Sequence, residues 1–598
     1  LKCWLKLLEL APVSSLSVTD FDFSSSGEMA TSRVGVLANH VKASPKPVDI
    51  EELVRRAWPD SDTPAGGCGT GSCGCGGQSQ TLSATPCAGT TTTSVNEPVA
   101  PLMLPKVAPS DVRLPKIRTA ADYVESIRNR PHIVCYLNGK LLTDPVSNPI
   151  VWPSVNSLAE TYRLAEERPE LGTVVSSLSG MRISRFLHIA ESAQDLVLQS
   201  QMQRELGRRC GCCFQRCVGM DAINATWSTT FEIDEKFGTQ YHQRFRKFIV
   251  EMQENNYVIG GAMTDPKGDR NKAPSQQDDP DFFVHVVDRK PDGSVVLRGA
   301  KVHQTGTLNS HWMLVMPGAS LKPSEKDYAI ACAVPVDAPG LTYIYGRQSC
   351  DLRAMEGSDS GIDQGNPNFG AQETVVCFDD VVVPAERIFM DGEVELTGTL
   401  VERFTAYHRR SYICKAGLSD IMLGAAATIS DYNGTSKAAH IKDKLVEIAY
   451  LAENIAGTAM AASYGGQPTK SGNYLPDILM ANICKHNVTR FPYQIARFVQ
   501  DIAGGLMSTL PGEAEFNHEV AGPLLNKYLA TKKGVTVENR RRILRLIENL
   551  TMGRNAIGFL SESMHGAGSP QAQRVLIQRL MNVEMKKKLA KNLAGIKD

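Results

Sequence analysis

At about residue 250 the apolar residues of this chain stop recurring at helical spacing and begin to alternate, and at about 395 they return to helical spacing. A helix repeats every 3.6 residues and a strand every two, so the switch predicts helices, then sheet, then helices. Ala121, Tyr123, Val124 and Ile127 open the first helical block, which continues through residues 158–165 and 186–206. Phe282 to Val287 and Ser294 to Leu297 flank Pro291-Asp-Gly293, a turn signal, and read as a hairpin; residues 328–336 and 374–383 extend the sheet. Leu445, Ile448, Leu451 and Ile455, then Ile543, Leu546, Ile547 and Leu550, give the last block its core stripes. The expected architecture is α+β: a leader over 1–115, an N-terminal helical domain over 116–245, a β-domain over 246–394 and a C-terminal helical bundle over 395–598.

The leader differs in texture. Gly66 to Gly77 carries Cys68, Cys73 and Cys75, and a Ser, Thr and Pro tract with Cys87 follows. Such a composition buries too little apolar area to offset chain entropy and predicts disorder, broken by one amphipathic helix over Asp49–Trp58. Met29 is the first methionine and is read as the start. With 598 residues the chain needs more than one core. Its 64 Lys+Arg balance 64 Asp+Glu, so no net field draws it to nucleic acid, and no run of eighteen apolar residues offers a transmembrane helix. Fifteen scattered cysteines suit a reducing compartment, cytoplasmic or organellar, with thiols as ligands or core.

Two stretches carry candidate chemistry. Cys213-Phe-Gln-Arg-Cys217 places two thiols four residues apart, on one face if the segment is helical. Thiolates select iron-sulfur clusters, zinc or Cu(I). Cysteine is also a common core residue, and spacing alone favours that plainer role. Tyr407-His408-Arg-Arg-Ser-Tyr412-Ile-Cys414-Lys415 adds an imidazole and a third thiol. In the expected β-domain, the polar loops Thr264 to Arg270 and Gln304 to Ser310 could present backbone amides to a cofactor.

With Phe378-Asp-Asp-Val-Val-Val-Pro384-Ala-Glu-Arg387 leaving the last strands, this order of blocks resembles the acyl-CoA dehydrogenase superfamily and its 4-hydroxyphenylacetate 3-hydroxylase cousins. Within that group the two cysteine stretches, with residues 264–270 and 562–574, resemble the 4-hydroxybutyryl-CoA dehydratases over about residues 119–598. The resemblance implies a homotetramer that binds FAD and a [4Fe-4S] cluster and acts on an acyl-CoA, dehydrating 4-hydroxybutyryl-CoA to crotonyl-CoA and isomerising vinylacetyl-CoA. It implies Cys213, Cys217, His408 and Cys414 as cluster ligands, and His408, Tyr412, Glu562, Glu373 and Lys415 as catalytic. Thr305, Asn309, Gln215, Gly504 and Gly505 would contact cofactor, the glycine pair from a neighbouring subunit. The rivals are a cluster-free flavin hydroxylase, an acyl-CoA dehydrogenase, and a non-enzymatic paralogue whose leader binds metal.

One departure stands out. The family's second stretch reads His-Arg-Gln-Ser-Tyr-Gly-Gly-Cys-Lys, whereas here Ile413 replaces both glycines. At about 100° per residue, a cysteine seven places after the histidine returns to its face, and one six places after lies about 120° away. Glycine's backbone freedom is lost as well. Three outcomes follow: a shifted helix, substitution by Cys210 or Cys212, or loss of the cluster.

Overall fold

The computed structural model describes residues 112–131, 133–346, 353 and 360–596. The leader up to residue 111, with the Asp49–Trp58 helix and Cys68, Cys73, Cys75 and Cys87, lies outside the described residues.

Helix α1 (Ala120–Arg128) starts at a capping box in which Thr119 and Asp122 satisfy each other's backbone N–H groups. Helix α2 (Trp152–Glu167) carries Pro in its first turn, where a missing N–H costs nothing. Helix α3 (Ala193–Cys210) is capped by Ser192 and stops at Gly211 in the left-handed conformation. Phe186 falls before it, in a short 3-10 turn over Arg185–Leu187, so the helix is shorter than its apolar spacing suggests. Helices α4 (Cys217–Phe237) and α5 (Tyr241–Asn255) complete the first block.

Two sheets follow. The first contains β1 (Val134–Leu137), β2 (Lys140–Leu141), β4 (His285–Arg289), β5 (Val295–Thr305), β8 (Leu341–Tyr345) and β9 (Glu373–Val383), in the order β2-β1-β8-β9-β5-β4. The second contains β3 (Ile259–Ala262), β6 (Trp312–Val315), β7 (Ile330–Pro335) and β10 (Ile388–Asp391), in the order β10-β7-β6-β3. The hairpin expected around Pro291-Asp-Gly293 is the antiparallel β4–β5 pair. Strands β1 and β2 come from within the first helical block, and β1 joins β8 in parallel.

The C-terminal bundle comprises α6 (Val394–Ser411), α7 (Cys414–Tyr432), α8 (Ala439–Tyr464), α9 (Ile478–Val488), α10 (Phe491–Ala503) and α11 (Val537–Thr551). A π-helical turn (Ile557–Ser561) then runs into the short helix α12 (Glu562–His565), followed by α13 (Pro570–Leu580) and α14 (Val583–Leu593). Ile448, Leu451, Ile547 and Leu550 from the expected stripes are buried, with Ile448, Ile547 and Leu550 at most 1% exposed. An apolar window within Val394–Tyr432 is long enough to cross a membrane, but 67% of it is buried inside the protein.

Helices α3 and α7 cross unusually closely. A side chain on Gly207 would meet the carbonyl oxygen of Cys414 at 2.3 Å, and one on Gly417 would meet that of Arg204 at 2.1 Å. Glycine at both positions lets the start of α7 approach the end of α3. That contact brings Cys414 beside the loop holding Cys213.

Candidate active site

Cys213 and Cys217 do not share a helix face. Helix α3 ends at Cys210, α4 begins at Cys217, and the residues between them form a loop. At its centre Gln215 has φ 64°, a left-handed conformation a non-glycine residue adopts only when its surroundings hold it there. They do. Gln215 Nε2 donates to the Ser154 carbonyl at 2.9 Å, and Asn309 Nδ2 donates to Gln215 Oε1 at 3.2 Å and to Ser154 Oγ at 2.9 Å. Gln215 and Asn309 thus spend these polar groups on each other and on α2, clamping the cysteine loop to the end of β5.

Cys414 escapes the helical arithmetic. Helix α6 stops at Ser411, and the bonds that follow are tighter: Ile413 N to Arg410 O, Lys415 N to Tyr412 O and Ala416 N to Ile413 O, all spanning three residues. Tyr412 and Ile413 keep φ −67° and −54°, so this turn asks for no glycine. Cys414 is the first residue of α7, as Cys217 is of α4. A helix N-terminus favours negative charge, and two of the three thiols therefore sit where a thiolate is stabilised.

All three thiols are buried, and burial pushes each one up, Cys414 to about 11. Next to burial, Cys213 feels the charge of Glu562 and of Cys217, and Cys217 that of Asp221 and of Cys414. They are near neighbours. Cys210 and Cys212 are engaged elsewhere, Cys212 Sγ with Ser157 Oγ at 3.2 Å and Cys210 Sγ with the Ser157 carbonyl at 3.9 Å. Among the described residues no three His, Cys, Asp or Glu side chains converge as a single-ion site requires. A cubane cluster meets each protein ligand at a different iron, so it asks for soft donors in one neighbourhood rather than at one point. In donor type and burial, Cys213, Cys217 and Cys414 fit that demand.

His408, near the end of α6, is held by a residue to which the sequence motifs gave no role. Its Nδ1 lies 2.8 Å from Asp221 Oδ2, and Asp221 Oδ1 accepts from Ser411 Oγ at 2.9 Å. Asp221 is fully buried, with Arg410 Nη2 3.8 Å away. A carboxylate at Nδ1 fixes the ring and keeps Nε2 available as a base or ligand. Asp221 follows Cys217 by four residues, and that spacing on α4 was the available signal.

Beside the thiols stands a charged group. Lys415 Nζ donates to the Gly558 carbonyl at 2.7 Å and lies 3.7 Å from Glu562 Oε2. Burial opposes its charge, but Glu562 and the thiols outweigh burial and hold the ammonium above its usual range. Tyr412 is buried, its ring 5.5 Å from that of His408, and its hydroxyl lies where a side chain on Gly566 would be. Burial, then the charge of Glu562, pushes the phenol well up. Glu373 faces Thr305 across β9 and β5, with Thr305 Oγ1 2.7 Å from both carboxyl oxygens. Burial and the neighbouring Glu562 raise Glu373 well above the ordinary carboxyl range. The two carboxyls thus stand in unlike settings, one where burial favours the neutral form and one beside an ammonium.

Thr305, Glu373, His408 and Glu562 are half-buried, whereas Cys213, Cys217, Tyr412, Cys414 and Lys415 are buried. The amides of the turn after β5 are not free: Gln372, its amide oxygen turned inward, accepts from Gly306, Thr307 and Leu308 N–H at 3.2, 3.3 and 3.3 Å. Gly504 and Gly505 end α10 exposed, with nothing within 4 Å of a side chain placed on either.

Residues 119–390 match the model of the 4-hydroxyphenylacetate 3-hydroxylase N-terminal region, and 397–595 that of its C-terminal region. A 4-hydroxybutyryl-CoA dehydratase/vinylacetyl-CoA-Δ-isomerase of Clostridium aminobutyricum is 50% identical over 493 residues, 80% of this chain and 100% of the relative. An oxygen-tolerant archaeal 4-hydroxybutyryl-CoA dehydratase structure from N. maritimus is 60% identical with TM-score 0.79, covering 81% of this chain and 96% of that one. The oxygenase component of a 4-hydroxyphenylacetate 3-monooxygenase, solved with FAD, shares the fold at 23% identity and TM-score 0.70, covering 80% and 98%.

Proposed function

Because the chain belongs to the 4-hydroxyphenylacetate 3-hydroxylase family, on its 4-hydroxybutyryl-CoA dehydratase branch, we propose that it is a hydro-lyase with isomerase activity. It removes water from 4-hydroxybutyryl-CoA to give crotonyl-CoA and moves the double bond of vinylacetyl-CoA. The observation that carries this reading is the buried trio Cys213, Cys217 and Cys414 beside the Lys415–Glu562 pair, since an oxygen-dependent flavin hydroxylase has no use for three thiols there.

Cys213, Cys217, Cys414 and His408 Nε2 would hold a [4Fe-4S] cluster, and Thr305 and Glu373 would face FAD, with Gly504 and Gly505 reaching FAD of a second subunit in a homotetramer. When bound, FAD supplies a reversible one-electron store and the cluster a Lewis acid for the leaving hydroxyl. The chain's own residues handle position and protons. His408, oriented by Asp221, would take a substrate C–H proton at Nε2 only while that nitrogen is not bound to iron, so its roles as ligand and as base alternate. Tyr412 offers its hydroxyl to the substrate's. Burial and the neighbouring Glu562 favour the protonated form of Glu373, which can donate a hydrogen bond, while Glu562 stands beside the Lys415 ammonium. The burial of the three thiols, Tyr412 and Lys415 keeps water from these transfers.

Purification without oxygen, with iron and sulfide analysis, a visible spectrum and a crotonyl-CoA assay, tests the reading. Flavin bands with a broad iron-sulfur shoulder and crotonyl-CoA formation are expected. Protein with flavin alone, making no crotonyl-CoA but hydroxylating phenols with reduced flavin and oxygen, would belong to the hydroxylase branch instead.

A further inference from the structure

One fully buried ammonium has no part in that scheme. Lys485 lies on α9, and its Nζ donates to the backbone carbonyl of Ser563 while standing 4.5 Å from the centre of the Tyr412 ring. Ser563 lies within α12, which ends at His565, so its carbonyl is among those a helix leaves without an intrahelical partner. In a buried setting such a carbonyl needs a donor. The π-helical turn just before α12 has a second exceptional carbonyl, that of Gly558, which accepts from Lys415 at 2.7 Å and from Ser563 Oγ at 3.2 Å. Two ammoniums from two helices therefore grip the two ends of one short distorted segment. Between the two grips lies Glu562.

We infer that Lys485 is a positioning residue for Glu562: by holding the Ser563 carbonyl it fixes the π-helical turn, so that the carboxylate stays beside Lys415 and faces Glu373. Wide helical turns are found where a side chain must be aimed, and here the deviation occurs immediately before the carboxylate it serves. Burial, then the charges of Lys415 and Arg409, lower Lys485 to about 7. Keeping three cations this close is unfavourable, and the carbonyl of Ser563 and the face of Tyr412 are what stabilise the third.

The inference uses the dehydratase reading for its kinetic readout only. Lys485→Met keeps the length of the side chain and removes the donor. In the otherwise unchanged holoenzyme it is expected to lower kcat about a hundredfold, the scale of a misplacement near 1 Å. In a Glu562→Gln background, where nothing remains to be aimed, it should change kcat less than about twofold, since residues acting through one another are not additive. An equal loss in both backgrounds, or none in the first, overturns the inference. Should K485M fail to fold, the milder K485Q, whose amide nitrogen stands one bond short of the Ser563 carbonyl, enters the same cycle under the same two outcomes. Crystals of the variant report position whatever the protein catalyses: the Glu562 carboxylate should leave its 3.7 Å contact with Lys415, and an undisturbed turn refutes the idea. A wild type that makes no crotonyl-CoA counts against the dehydratase reading alone and leaves the crystallographic result to decide.

Discussion

Replacing Asp221 by Asn isolates what the carboxylate does for His408. Its two oxygens receive His408 Nδ1 at 2.8 Å and Ser411 Oγ at 2.9 Å, and Arg410 stands 3.8 Å away. Alanine would strand all three groups in the interior, a loss of roughly 3–5 kcal/mol. Asparagine has the same shape, can keep the Ser411 bond and forfeits the charge, so its cost is nearer 1–3 kcal/mol. Against a total stability of about 5–15 kcal/mol the asparagine variant folds. The imidazole is affected more sharply. Without the carboxylate, Nδ1 need not carry the proton, and a proton on Nε2 blocks the nitrogen offered to iron. Losing such a partner behind a ligand costs about 10–100-fold in metal affinity, or roughly 1.4–2.8 kcal/mol. The assay is iron retained per protomer under graded chelator, with Mössbauer spectra of the remaining iron and a thermal melt. Expected are near-native melting, easier iron loss and an altered signal from one iron of four. Wild-type retention with an unchanged spectrum refutes both the orienting role of Asp221 and the ligation by His408.

Three further outcomes follow. Serine at Cys213, Cys217 or Cys414 should abolish the iron-sulfur absorbance, whereas Cys212→Ala should leave it intact, because Cys212 is engaged with Ser157; iron analysis of the four variants separates these. Gly207→Ala must push the start of α7 away, since its Cβ would sit 2.3 Å from the Cys414 carbonyl, and a melt should show about 1–3 kcal/mol lost together with cluster content. Glu373 is raised in the folded protein above its ordinary value of 4.5, so folding takes up a proton between that value and the folded one. Stability therefore falls as pH rises through that window, by up to about 1.4 kcal/mol per pH unit, and Glu373→Gln should flatten that part of the pH–stability curve.

The readable parts of this sequence were those whose cause is local. Alternation on either side of Pro291-Asp-Gly293 is enough to make the β4–β5 hairpin, because turn and pleat are decided within a dozen residues. The site was legible as a set of residues but not as a geometry. Cys213 and Cys217 look like one helix face because four residues separate them, yet the left-handed Gln215 breaks the helix, and what holds it there is Ser154 and Asn309 from distant segments. The missing residue before Cys414 matters only on a continuous helix. Once α6 ends at Ser411, the direction of Cys414 is decided by how closely α3 lets α7 approach, and that is written in Gly207 and Gly417 rather than in the spacing from His408. The shortened turn thus does not by itself carry Cys414 away from Cys213 and Cys217. A substitution at Gly207, two hundred residues from the departure, should disturb Cys414 more than restoring a glycine at Ile413, where the backbone already has negative φ.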